Sequence, residues 1–266
     1  MTMHTRCNIA GVPVDNTTLE SAATGIVEAV RKRALSRPLL IMGPNAQLVV
    51  LAQRNARFAK ALRSADLNVP DGISIVLASR LLGSPISGRV TGGDLMERLC
   101  AEAALHGLSI FLLGGLPTAA RLAARRLERK YPKLKVAGTY CPPLGFEHDP
   151  EENARIRRLI TEARPSLLFV AFGAPKQEIW IHENCPALPI GAAMSVGAAF
   201  DTQAGLRRRA PGWTHKIGME WLYRLLREPR RLWRRYLFGN AYFIYCVLKQ
   251  KLHSRDLHQI QPELHP

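Results

Sequence analysis

The stretch SLLFVAFGAPKQEIW, residues 166–180, decides the fold. From Leu167 to Phe172 it is an unbroken apolar run, the pattern of a strand buried on both faces. Gly173 ends the run and Pro175 cannot extend it. The polar triplet Lys176-Gln177-Glu178 then opens a helical segment. The same unit recurs on both sides of it: PLLIMG (38–43), LSIFLLGG (108–115), LKVAGTY (134–140) and LPIGAAMSVG (188–197). Segments of helical character, about ten to twenty residues long, separate these runs. The alternation predicts an α/β fold with a Rossmann-like, mostly parallel sheet and helices on both faces.

Several helix starts carry their own signals. Thr17-Thr18-Leu19-Glu20 fits a capping box, and Asp149-Pro150 places a cap before proline at the first helical position. At 266 residues the chain accommodates one large α/β domain, or a domain of roughly 200 residues with an appendage. Composition shifts near Gly205. The expected division is a core over 1–205 and a basic, amphipathic, membrane-associating helical appendage over 206–266.

The formal charge of +16 is concentrated in that appendage: residues 207–251 hold twelve Lys/Arg against two acids. Six arginines lie between Arg224 and Arg235, and the almost wholly apolar run Tyr236–Leu248 follows. Such a block suits an anionic partner, whether nucleic acid, anionic lipid or a phosphorylated substrate. Tyr236, Tyr242, Phe243 and Tyr245 fit either an interfacial foot or core packing. The thirteen-residue run falls short of the ~20 residues of a spanning helix. Five scattered cysteines without C-x-x-C read as free thiols in a reducing compartment. The N-terminus has no apolar leader, so export is not expected.

Candidate chemistry gathers where strands end. Asp71, in VPDG, is placed to act as a general base or to cap the next helix. Asn45, in GPNAQ, has the same choice between a sugar hydroxyl and a cap. Arg89 lies in a glycine-rich loop and suits a phosphate or plain solvent. Gln177 offers a donor and an acceptor to a sugar or uracil edge. Lys176 opposes the dipole of its helix, which makes sense beside an anion or a polar ligand. The Gly114-Gly115 turn with its following helix suits a diphosphate, or is simply a tight turn. G-x-G-x-x-G and the P-loop are both missing, which disfavours a nucleotide-dependent oxidoreductase. With no D-x-D either, no metal-bound nucleotide diphosphate is indicated and no cofactor is expected.

Taken in order, P-N-A-Q (44–47), V-P-D-G (69–72), G-R-V-T-G-x-D-L (88–95), F-L-L-G-G (111–115), F-G-A-P-K-Q-E (172–178), R-A-P-G-W (209–213) and E-W-L-Y-R-L-x-x-E-P-R-R (220–231) resemble the WecG/TagA/CpsF family of bacterial glycosyltransferases. The resemblance implies an inverting transfer of a hexose or N-acetylhexosamine from a UDP-sugar to a polyprenyl-diphosphate-linked sugar. It places this at the cytoplasmic face of the membrane, with an anionic bilayer surface as partner, in cell-surface polysaccharide synthesis. It also implies Asp71 as the base, with Asn45, Arg89 and Gln177 around the substrates. Arg224, Arg231 and Arg234 become the cations that meet the lipid diphosphate or departing UDP. Gly43 departs from the threonine common there, which leaves donor preference open. Assembly state, monomer or homo-oligomer, is also open. A nucleic-acid-binding module is the alternative reading of the basic block.

Overall fold

The structure, a computed structural model, describes residues 5–32, 36–206 and 229–259. Among them a six-stranded sheet runs in the order β4-β3-β8-β7-β5-β6. Its strands are β3 (Leu39–Met42), β4 (Leu67–Asn68), β5 (Ser109–Gly114), β6 (Lys135–Tyr140), β7 (Leu167–Ala171) and β8 (Ala192–Ser195), and every pairing is parallel. Each of the five apolar runs of the sequence therefore contributes a strand. β4, only two residues long, sits ahead of Asp71 as expected.

The strands divide their side chains between two cores. Leu40, Met42, Leu168 and Val170 enter one, while Leu39, Ile41, Leu167 and Phe169 enter the other. This two-sided burial explains why the runs are continuously apolar rather than alternating. Fully burying a side chain such as Phe169 contributes roughly 1.5–3 kcal/mol. The first core is covered by α2 (Ala46–Ala52), α3 (Ala56–Arg63), α4 (Ile73–Leu81), α7 (Pro150–Ala163) and α8 (Lys176–Asn184). The second is covered by α1 (Leu19–Lys32), α5 (Gly92–His106), α6 (Ala119–Lys130) and α9 (Ala199–Gln203).

Local signals account for most of the helix starts. Asp149 accepts hydrogen bonds from the Glu151 and Glu152 amides at 2.9 and 3.1 Å, with Pro150 at the first position of α7. The start of α1 differs by one residue from the capping box expected at Thr17. Thr18 accepts the Ser21 amide at 3.1 Å, and Glu20 turns outward to pair with Arg98 of α5. A cap and its neighbour are both threonine here, so sequence alone does not separate them.

An antiparallel hairpin of β1 (Arg6–Ile9) and β2 (Val12–Asp15) precedes the sheet, a feature the sequence reading did not include. Ala10 and Gly11 both have positive φ, as a tight two-residue hairpin loop requires. Asp15 ties the hairpin down: it takes the Arg6 Nε–H at 2.7 Å and the Asn68 amide at 2.7 Å.

The last element, α10 (Pro229–Gln259), packs along α2. Phe243 and Val247 are buried in the first core. Gln47 Nε2 donates to Asn240 Oδ1 at 3.1 Å, and Gln250 takes the Ala10 amide at 2.7 Å while donating to the Asn8 carbonyl at 2.8 Å. Of the four aromatics expected at an interfacial foot, Phe243 is therefore core. The Tyr242 ring carries the Arg54 guanidinium 5.0 Å from its centroid, and Tyr245 is exposed. The Tyr236 side chain lies outside the described residues. No helix among the described residues is long and apolar enough to cross a membrane.

Candidate active site

In a parallel sheet the loops leaving the carboxyl ends of the strands form the natural ligand edge. A crevice opens where successive helices depart to opposite faces. Here α6, after β5, belongs to the second core and α8, after the neighbouring β7, to the first. Gly114, at the end of β5, has φ +98°, and a Cβ on it would come within 2.8 Å of the Ala171 carbonyl oxygen. Only glycine allows the two strand ends to approach this closely. The Gly114-Gly115 turn makes a close β5–β7 contact, closed by the Gly115 amide donating to the Ala171 carbonyl at 2.8 Å.

Three loops meet at the β3–β4 end of this edge. The Asp71 amide donates to the Pro44 carbonyl at 3.1 Å, and the Val90 amide to the Pro70 carbonyl at 2.9 Å. Asn45, Asp71 and Arg89, far apart in sequence, are thereby brought to one corner, each half-buried. Asn45 is a helix cap as well: its Oδ1 accepts the Gln47 and Leu48 amides of α2, both at 3.1 Å. Asp71 is not the cap of α4. That position belongs to Gly72, whose φ of +137° explains the glycine of VPDG. Thr91 caps α5 through the Asp94 amide at 3.1 Å and so fixes the far side of the Arg89 loop.

Gln177 occupies the neighbouring corner. It is buried, and its Oε1 accepts amides from Gly173 after β7 and from Gly197 after β8, both at 3.2 Å. Its Nε2 donates to Glu178 Oε1 at 2.7 Å. One side chain thus fixes the spacing of two loops on the ligand edge. Gly92 joins the two corners: a Cβ on it would stand 3.6 Å from the Ser195 carbonyl oxygen at the end of β8.

Glu178 was not among the candidate site residues of the sequence, where it reads only as one of the polar triplet that opens a helix. It is fully buried, and its Oε2 makes no hydrogen bond. Burial pushes its carboxyl above the ordinary 4.5, and the hydrogen bond from Gln177 opposes this only in part. Lys176, read in the sequence as lying beside an anion or a polar ligand, pairs with Glu147 and holds that carboxyl below its usual range. The anion belongs to the protein itself.

Arg224 lies outside the described residues, as does the RAPGW segment. Arg231 and Arg234 fall within α10, but their side chains lie outside the described set. Among the described residues no group of three or more His, Cys, Asp and Glu side chains is placed to hold a metal ion. All five cysteines are free thiols, and burial raises those of Cys100 and Cys185 far above the ordinary range.

Comparison with known proteins adds a second line of evidence. The family model described as "Glycosyl transferase WecG/TagA/CpsF family" matches residues 7–257. A relative from Bacillus spizizenii is 34% identical over 218 residues, covering 82% of each chain. One from Staphylococcus aureus strain MW2 is 31% identical over 258 residues, 94% of this chain and 97% of its own. A third, from Bacillus subtilis strain 168, is 28% identical over 252 residues, 94% of both. All three are described as N-acetylglucosaminyldiphosphoundecaprenol N-acetyl-beta-D-mannosaminyltransferases. None of these similarities supports the nucleic-acid alternative.

Proposed function

Because the chain belongs to the WecG/TagA/CpsF family and is a glycosyltransferase, we propose that it moves an N-acetylhexosamine, with N-acetylmannosamine the first candidate, from a UDP-sugar to a sugar carried on a polyprenyl diphosphate. The observation that carries this reading is the corner where the Asp71, Asn45 and Arg89 loops are stitched together by backbone hydrogen bonds.

The reaction is a single displacement. The acceptor hydroxyl oxygen bonds to the anomeric carbon as the bond from that carbon to the UDP oxygen breaks. UDP leaves with the electron pair, and configuration inverts. Asp71 takes the hydroxyl proton. Charge growing on the diphosphate is met by Arg89 and by the appendage arginines Arg224, Arg231 and Arg234. Asn45, its oxygen committed to α2, turns its amide nitrogen to a sugar hydroxyl. Gln177 acts on the substrates through the two glycine loops that it spaces.

The acceptor lipid also assigns a role to α10. Its outward apolar residues Phe238, Tyr245, Leu248 and Leu252 lie opposite the buried Phe243 and Val247, with Lys249 and Lys251 interspersed. That pattern suits a helix resting on an anionic bilayer at the cytoplasmic face. A screen of UDP-sugars against synthetic polyprenyl-diphosphate sugars, read by product mass, tests the function. A product heavier by one N-acetylhexosamine is expected, and its absence with every donor would reject the reading.

A further inference from the structure

Helix α4 starts two residues after Asp71 and is apolar on two sides. Ile75, Val76 and Ala78 are buried, as an amphipathic helix requires. Ile73, Leu77 and Leu81, however, are 37%, 55% and 40% exposed. Spaced four apart, they form one continuous ridge about 12 Å long. A second apolar face on a helix ordinarily has cover of its own, and among the described residues these three side chains stay open to solvent.

We propose that this ridge is the track along which the isoprenoid tail of the lipid acceptor leaves the site. The inference rests on the reading of Asp71 as the base for that acceptor. Three features favour this occupant. The ridge begins beside the carboxylate that would receive the acceptor hydroxyl, so a sugar at Asp71 has its hydrocarbon tail within reach of Ile73. The Val90 amide holds the Arg89 loop against Pro70, so a cationic residue stands at the Asp71 end of the ridge, where the diphosphate must pass. Finally, three partly exposed side chains are far too few for a stable contact with a second copy, which takes about 20–30 residues a side.

The test uses the full chain and the variant Leu77→Ser/Leu81→Ser, whose changes are exposed. Thermal unfolding confirms that it is folded. The probes are farnesyl diphosphate and dimethylallyl diphosphate, which share a headgroup and differ in tail. The unaltered protein is expected to bind the longer probe more tightly. The variant is expected to lose about tenfold or more of affinity for it and to keep its affinity for the shorter one. No tail-length preference, or one that survives in the variant, overturns the proposal. So does a change of oligomeric state or a loss of vesicle binding in the variant, since either assigns the ridge to a second copy or to the bilayer. These measurements require no sugar transfer. Failure of the unaltered protein to transfer any sugar therefore rejects the proposed function, while the binding data still decide the ridge.

Discussion

Gly43 lies directly against Asp71: a Cβ built on Gly43 would stand 3.5 Å from Asp71 Cβ and 3.8 Å from its Oδ2. These are ordinary van der Waals distances, and Gly43 does not adopt a left-handed φ. Neither backbone nor packing requires glycine, so a small side chain can be accommodated beside the carboxylate. Gly43→Ala should keep its melting temperature or raise it, by up to about 1 kcal/mol of stability, because the unfolded chain loses freedom. Gly43→Thr, which fills the space with a methyl and a hydroxyl, should alter the ranking of donors by kcat/KM. An unchanged ranking would show that the space has no part in donor choice.

Glu178 makes its hydrogen bond to Gln177 in a place where burial favours the neutral acid. A carboxyl whose folded pKa is raised stabilises the protein fully below its ordinary value, and that contribution is lost as pH rises from there toward the folded value. Glu178→Gln keeps the shape and cannot ionise. Its stability relative to the unaltered protein should improve between pH 4 and pH 7.5, and its transfer activity should stay within a few-fold. Glu178→Ala leaves the Gln177 amide without its acceptor and should cost about 1–3 kcal/mol. Urea unfolding at both pH values checks the sign, and an activity collapse in Glu178→Gln would mean that the ionised form is the working one.

The two faces of α10 should separate in experiment. Phe243→Ala opens the core between α10 and α2 and should cost about 3 kcal/mol in denaturant unfolding. Leu248→Ser, on the outward face, should leave stability within about 0.5 kcal/mol. It should nevertheless weaken sedimentation with anionic vesicles. Equal vesicle binding by the two proteins would remove this face from the membrane account.

Much of this was legible in the sequence for physical reasons. A strand buried on both faces must be apolar throughout, so the five long runs announced the parallel sheet. Pro150 after Asp149 announced a helix start. The corner holding Asn45, Asp71 and Arg89 was legible only residue by residue, because its closure depends on backbone bonds such as Val90 to Pro70. The hairpin escaped notice because its strands are four residues long and Ala10, rather than Asn or Gly, takes one positive-φ position. Sequence left Phe243 open between foot and core, since its neighbours Tyr242 and Tyr245 are equally aromatic and only the position of α2 distinguishes them. Glu178 was hidden for the opposite reason: a charged residue in a first helical turn ordinarily faces solvent.

The central claim is that Asp71 removes the acceptor proton. Asp71→Asn preserves size and removes the basic oxygen, so the most direct measurement is its turnover with a polyprenyl-diphosphate-linked acceptor, beside its affinity for UDP. The account predicts UDP affinity within a few-fold of the unaltered protein and turnover lower by about 10²–10⁴. Turnover close to that of the unaltered protein would contradict it.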